Sequence, residues 1–398
     1  MTFHRITSDA PRWAVVSTYP PTPCGLATFT RALVVAMAGR GATVDVVRVV
    51  DAPQERGPMG VVHHWVKGST ASSAAVLNDY DVVLVQHEFG IFAGADGDEL
   101  LALLAQVHVP VVTVLHTVLA RPTAHQRAVL EGVIAASDVL ITMTRTARDR
   151  AVGLYGAAAD SVQVIPHGAP DALVTVQPSA SPLGGRTPLR GRPVVLTWGL
   201  LGQGKGIEWG IEALGLLQDL DPRPVYVVAG RTHPRVLENE GERYRHGLRD
   251  LALGLGVAED IVFEDHYLDA AQLQRLVRSA DVVLLPYDSR EQVTSGVLTE
   301  AVAAGRPVVS TAFPHAVELL GDGAGLLVER QDPAAIAAAI RRVITEPGLA
   351  GRLAHRATAL APDLSWRAVA ERYLLVGDAL SASGRSVPLA TAGVAVVA

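Results

Sequence analysis

Residues 286–311 read PYDSREQVTSGVLTEAVAAGRPVVST. The apolar run VVLLPY (282–287) leads into this stretch and PVVST (307–311) closes it, with a helically spaced segment between them. Strand, helix and strand in such close succession make one βαβ unit of a parallel sheet. Thr294-Ser295-Gly296 opens the helix, and Gly305-Arg306-Pro307 ends it. A helix N-terminus offers unpaired amides and partial positive charge, which suits phosphate. Gly296 would let a ligand approach the backbone closely. Glu300 lies about one turn in, where a carboxylate can accept hydrogen bonds from ribose hydroxyls. Taken alone, the same residues also describe an ordinary capped helix with a solvent-facing glutamate.

The pattern repeats outward. In the first half, strands are expected at WAVVSTY (13–19), TVDVVRV (43–49), VVLVQ (82–86), VVTVLH (111–116), VLITMT (139–144) and VQVIPH (162–167). Helix-like stretches such as ATFTRALVVAMAGRG and TAHQRAVLEGVIAAS alternate with them. The second half restarts with PVVLTWG (193–199), VYVVAG (225–230), IVFED (261–265), VVLLPY, PVVST and GLLVE (325–329). Between the halves, QPSASPLGGRTPLRGRP (177–193) has no periodicity and reads as a linker. The expected organisation is a first Rossmann-like domain over 1–176, a linker over 177–192, a second over 193–364, and a C-terminal helix with a tail over 365–398. The tail from 379, rich in small residues, is expected to be poorly ordered at its end. Open parallel sheets bind ligands at the carboxyl ends of their strands, so two such domains would face a central cleft.

Composition narrows the function. The 398 residues are 49% hydrophobic and 19% charged, enough apolar material for large cores and too much for a disordered chain. Net charge is −6 and no long Lys/Arg run occurs, which argues against nucleic acid as a partner. The single cysteine, Cys24, rules out an internal disulfide framework and a multi-cysteine metal cluster. The opening MTFHRITSDAPRW lacks the apolar core of a signal peptide, and no stretch of about 18 apolar residues stands anywhere to cross a bilayer. The cytoplasm is the expected compartment, with peripheral membrane contact left open.

With Glu300 followed by AVAAGRPVVS, the first stretch resembles the retaining glycosyltransferases of family 4, which have the two-domain GT-B fold. The family motif is Glu, seven residues, Glu, then Ala-x-Ala-x-Gly-x-Pro-Val-Val. The resemblance implies that Glu300 contacts the donor ribose and that Thr294, Ser295, Gly296 and Val297 supply amides to the donor phosphates. Gln292 stands where the family has its first glutamate, which contacts donor-sugar hydroxyls. A second match is TWGLLGQGKGIEWGIEAL (197–214): Lys205-Gly206 fit the family's Gly-Arg, four residues, Lys-Gly, but Leu200 holds the arginine position. Lys205 is then the cation on the donor diphosphate, and Arg231, at the end of the strand in VVAGRTHP, or else Arg290, is the candidate replacement for the missing one.

In the N-terminal half the resemblance assigns Gly25, in PTPCGLATF, to the loop that approaches donor phosphate and acceptor. Cys24 beside it has no base partner in the sequence to make it a nucleophile. His116 ends its strand where the family has a histidine near the donor sugar, and His87-Glu88 end another strand on the acceptor side. His167-Gly168 replaces the family's Pro-Asn-Gly turn and reads as structural. Ser365 reads as the N-cap of the last helix.

The expected activity is therefore transfer of a sugar, with retention, from a UDP- or GDP-linked donor to a hydroxyl-bearing acceptor. His116, Lys205 and Gln292 would lie at the reaction centre. No cofactor is expected, and no metal, because no Asp-x-Asp signature and no His/Cys cluster stands where one would bind. Another GT-B activity, such as a glycoside phosphorylase or nucleotide-sugar epimerase, and a nucleotide-sugar-binding protein without turnover are the alternatives.

Overall fold

The computed structural model describes residues 10–54, 57–175, 191–265 and 268–382. Most of the expected linker and the end of the tail lie outside the described residues. The described chain divides into two compact units. The first draws on residues within 1–142, 148–165 and 370–398, the second on 143–147 and 166–369.

The first unit is built on β1 (Trp13–Ser17), β2 (Val44–Val50), β3 (Val61–Val66), β4 (Val82–His87), β5 (Val111–Leu115), β6 (Val139–Thr142) and β7 (Val162–Val164). All neighbouring strands are parallel, in the order β3-β2-β1-β4-β5-β6-β7. β1, β4 and β5 are fully buried, as strands covered on both faces must be. Six of the seven are the expected runs. β3, VVHHWV, was not among them. It is an edge strand, mostly half-buried, and His63-His64 interrupt its apolar pattern.

The second unit holds β8 (Val194–Trp198), β9 (Val225–Ala229), β10 (Ile261–Glu264), β11 (Val282–Leu285), β12 (Val308–Thr311) and β13 (Gly325–Val328). Its order is β10-β9-β8-β11-β12-β13, again all parallel. Both units are thus Rossmann-like α/β sheets with the expected winding. In each, the chain lays strands to one side of the first strand and then to the other. The reversal falls between β1 and β4 in the first unit and between β8 and β11 in the second. Loops leaving those strands diverge at the switch point, which opens a crevice at the strand ends.

In the second unit the close approach of these loops depends on glycines. The loop after β8 packs against the loops after β9 and β11 with no room for side chains between backbones. A Cβ on Gly230 would stand 1.8 Å from the Gly199 carbonyl oxygen, and one on Gly206 would stand 1.8 Å from that of Pro286. Both glycines have positive φ, +147° and +63°. Gly230→Ala should therefore lose more stability than the ~1–2 kcal/mol of a left-handed alanine alone. Gly256→Ala, at φ +69° with open space around it, should cost about that and no more. Paired denaturant melts of the two variants check the difference.

Candidate functional site

The second unit assembles a charged site at its switch point. The chain leaves β8 through Gly199-Leu200-Leu201-Gly202-Gln203-Gly204-Lys205-Gly206 and enters the helix Ile207–Gly215. Gly204 and Gly206 take positive φ, the latter as the left-handed N-cap of that helix. The Asp288 amide donates to the Gly204 carbonyl at 3.0 Å, which ties this turn to the loop after β11. The result places Lys205 Nζ over the Tyr287 ring, 4.4 Å from its centre. Tyr287 is buried and stacks on Phe313. Burial pushes the Lys205 ammonium below its ordinary value, and no carboxylate pairs with it among the described residues. A partly desolvated cation held on an aromatic face, without an acid, is suited to an anionic ligand.

After the loop that follows β11, the helix Gly296–Ala303 begins where the sequence placed it, with Ser295 as N-cap. The Ser295 hydroxyl accepts the Leu298 amide at 3.2 Å, and Thr299 N–H bonds the Ser295 carbonyl. The Ser295 amide is itself consumed, donating to Nδ1 of His315 at 2.8 Å. The amides of Gly296 and Val297 have no partner among the described residues. Thr294 Oγ1 is buried and likewise unpartnered. Gly296 lacks a Cβ for a packing reason as well as a ligand-access one: a Cβ there would stand 2.8 Å from the His167 ring. His167 is pushed down to about 4 by burial, against the pull of its hydrogen bond to the Gly168 carbonyl.

Glu300 is partly buried, and Oε2 accepts the indole N–H of Trp198 at 3.3 Å. Burial raises its carboxyl to about 7, only partly offset by that hydrogen bond. Gln292 is half-buried, with Nε2 donating to the Thr294 carbonyl at 3.0 Å. A carboxylate in the same pose would set oxygen against oxygen, so this loop is built around an amide. Arg231 is exposed, and its carbonyl accepts the Leu201 amide at 2.9 Å. The His233 amide returns to the Leu201 carbonyl at 2.8 Å, so the loops after β8 and β9 are laced together beside Leu200. Arg290 is exposed in the loop after β11.

The first unit forms its own cluster. Cys24 is the N-cap of the helix Gly25–Ala38, its sulfur accepting the Ala27 amide at 3.3 Å and meeting Thr18 Oγ1 at 3.2 Å. A capping role explains it without nucleophilic chemistry. Gly25 is exposed, and a Cβ there would meet nothing within 4 Å. His116 Nε2 lies 2.6 Å from Oε1 of the buried Gln86, and its ring stands edge-on to Phe29. His87 is buried, which pushes it down to about 4, and its Nδ1 has no partner among the described residues. Glu88 accepts from the Phe89 amide and the Thr117 hydroxyl. Ser365 caps the last helix as expected, taking the Ala368 amide at 3.1 Å. Among the described residues no group of three His, Cys, Asp or Glu could hold a metal ion, and no helix is long and apolar enough to cross a membrane.

Trp198, Tyr287 and His315 were not expected in the site. Tyr287 lies inside the deciding stretch, but nothing local marks it as the platform for Lys205. The other two act across 102 and 20 residues of chain.

Comparison with known proteins fits this division. Residues 23–173 match the model "Glycosyltransferase Family 4", and residues 192–346 match "Glycosyl transferases group 1". A D-inositol 3-phosphate glycosyltransferase of Acidothermus cellulolyticus is 34% identical over 271 residues, 65% of this chain and 58% of that protein. A glycogen synthase of Mycobacterium tuberculosis is 28% identical over 312 residues, 77% of this chain and 65% of that one. The chain thus spans less than two thirds of the length of these relatives. Among solved structures, sucrose-phosphate synthase of Thermosynechococcus elongatus superposes with a TM-score of 0.73 at 18% identity, covering 94% of this chain and 100% of the other. Anabaena HepE in complex with UDP and glucose gives 0.71 at 17% identity, covering 93% and 100%. At these identities the structures speak for the fold, which is GT-B.

The raised carboxyl of Glu300 has a consequence for stability. The folded protein keeps its proton up to about 7, whereas the unfolded chain releases it near 4.5. Its contribution to stability therefore falls as pH rises through that window. Glu300→Gln keeps an acceptor for Trp198 and carries no charge. It should melt above wild type at about pH 8, and the gap should close as pH falls toward about 5. Thermal melts across pH measure this.

Proposed function

Because the chain belongs to the family 4 and group 1 glycosyltransferases, we propose that it moves a sugar from a nucleotide-diphosphate donor to a hydroxyl acceptor, with retention and without a metal ion. The observation that carries the reading is the pairing of an acid-free Lys205 with the open amides of Gly296 and Val297, one helical turn from Glu300. Departure of a nucleoside diphosphate leaves negative charge on the β-phosphate and cationic character on the sugar. Prepositioned donors that meet the growing charge lower that barrier most effectively. In this reading Lys205 and the two amides, with the helix dipole behind them, take the phosphates. Glu300 takes the ribose hydroxyls. Gln292, whose amide N–H is committed to Thr294, offers Oε1 as an acceptor for a sugar hydroxyl.

Gly25 and His116 are assigned in this reading to the donor, and His87 and Glu88 to the acceptor, on the family resemblance alone. The diphosphate oxygen accepts the acceptor's proton on the same face, so no protein nucleophile is needed. The neutral state of buried His87 suits hydrogen bonding to hydroxyls rather than to anions. UDP and GDP are the proposed donor nucleotides, and the cytoplasm the proposed compartment. The loss of a cation at Leu200 and of an acid at Gln292 favours one second reading, a nucleotide-sugar-binding protein without turnover.

A panel of UDP-, GDP- and ADP-sugars separates these readings. A donor at ~100 times its dissociation constant should add about 2.7 kcal/mol of stability. Nucleotide release in the presence of an acceptor, undiminished by exhaustive chelation, is expected. Stabilisation without any release supports the binding protein, and activity lost on chelation and restored by magnesium or manganese overturns the metal-free mechanism. Lys205→Met should abolish both stabilisation and release.

Arg231 provides the second test. Its backbone is laced to the turn that carries Leu200, and its guanidinium pairs with no acid among the described residues. A charge-assisted bond to phosphate contributes about 1.5–3 kcal/mol, so Arg231→Ala should cost roughly ten- to hundredfold in donor affinity or rate. Arg231→Lys should recover part of that, since an ammonium lacks the planar fork. Unchanged kinetics in Arg231→Ala would remove Arg231 from the site.

A further inference from the structure

We infer that His315 is a positioning residue that sets the geometry of the donor-binding segment Gln292–Val297 by holding it at Gln292 and at Ser295. The inference rests on the donor role proposed for Gln292, Gly296 and Val297.

His315 is the second residue of the helix Pro314–Leu320, directly after β12, and it is 4% exposed. Its ring takes the Ser295 amide on Nδ1 at 2.8 Å, and its own amide reaches the Gln292 carbonyl at 3.5 Å. Between those two points the segment closes on itself through the Gln292 side chain and the Thr294 carbonyl. The bond to Ser295 fixes the state of the ring, because a backbone N–H can only donate. Nδ1 must therefore be the unprotonated nitrogen. Burial and the neighbouring His167 hold the imidazole down to about 3, so it stays an acceptor at any ordinary pH.

The effect on the ligand side is indirect. An N-cap residue has a free choice of where its own N–H points, and here the imidazole makes that choice. With its N–H on His315 and its hydroxyl on Leu298, Ser295 cannot rotate. The two amides that follow, on Gly296 and Val297, are left without a partner among the described residues. Without an acceptor at this place the Ser295 amide would be buried and unpaired, and the segment would have to turn to satisfy it.

The test compares His315→Leu, His315→Asn and wild type. Leucine fills the space with no acceptor, while the asparagine Oδ1 stands where Nδ1 does. His315→Leu should lower affinity for UDP or GDP, and kcat/KM, by roughly tenfold or more. His315→Asn should recover most of both. Hydrogen exchange on the ligand-free proteins supplies a readout that does not depend on the identity of the donor: Ser295 N–H protection should vanish in His315→Leu and persist in His315→Asn. Where the leucine variant does not fold, His315→Gln replaces it, since its oxygen reaches the place of Nε2 rather than Nδ1, and it should be as defective. Wild-type affinity and wild-type Ser295 protection in folded His315→Leu overturn the inference. So does an asparagine variant no better than leucine, which would make ring packing the reason for the histidine. Wild type that binds neither UDP nor GDP while Ser295 protection follows the acceptor would sink the donor assignment and leave the positioning role standing.

Discussion

The contact between Gly206 and the Pro286 carbonyl governs the charged site of the second unit. The two backbones touch where a Cβ would stand 1.8 Å from the oxygen. Only at that distance does the loop after β8 lie against the loop after β11, and only then does Lys205 Nζ reach the face of Tyr287. The sheet makes the contact necessary. β8 and β11 are neighbours at the reversal of strand order, so their loops leave in opposite directions from adjacent points. Glycine at the junction lets one loop enter a helix in a left-handed conformation while the other passes directly beneath it.

Charge in this site is economical. Lys205 is depressed by burial, Glu300 is raised to about 7, and His167 and His315 are held neutral. Each group in the ligand-free protein is thus shifted toward its uncharged form, by the same cause. A dianionic diphosphate entering beside Lys205 would reverse the pressure on the ammonium, because an opposite charge at close range favours the charged form. The same anion would press against ionisation of Glu300. Glu300 lies one turn into its helix, beyond the unpartnered amides of Gly296 and Val297, which would keep the carboxyl apart from such an anion.

Fold was legible because buried parallel strands announce themselves. Twelve runs of branched apolar residues became twelve strands, and the one that escaped, Val61–Val66, is an edge strand carrying His63-His64. The placement of Lys205 and Glu300 was legible for a related reason: the strand, the loop and the helix that hold each of them are written contiguously. Trp198, Tyr287 and His315 were not, because what they do is defined by partners distant along the chain. Indole to carboxylate spans 102 residues and imidazole to amide spans 20. Nothing in TWG or FPH alone distinguishes such a residue from one that merely fills a core. Cys24 and Gly296 show a different limit. Their positions were readable, but capping explains the sulfur, and the His167 ring gives the glycine a second reason to be there.

The two departures from the family pattern are answered locally, each in its own way. Glutamine at 292 looks like a lost charge until its surroundings are considered. With Nε2 donating to the Thr294 carbonyl at 3.0 Å, the side chain makes a bond that only an amide N–H, and not a carboxylate, can supply. A carboxylate there would break that hydrogen bond and place two oxygens together. Leucine at 200 has no such internal reason. It is half-exposed on a turn whose neighbour, Leu201, is buried and bonded to the Arg231–His233 backbone. A side chain at 200 is therefore free of packing demands that would forbid arginine. The absence of one is compatible with a diphosphate site if positive charge arrives from elsewhere, and the loop that is hydrogen-bonded to this turn carries Arg231.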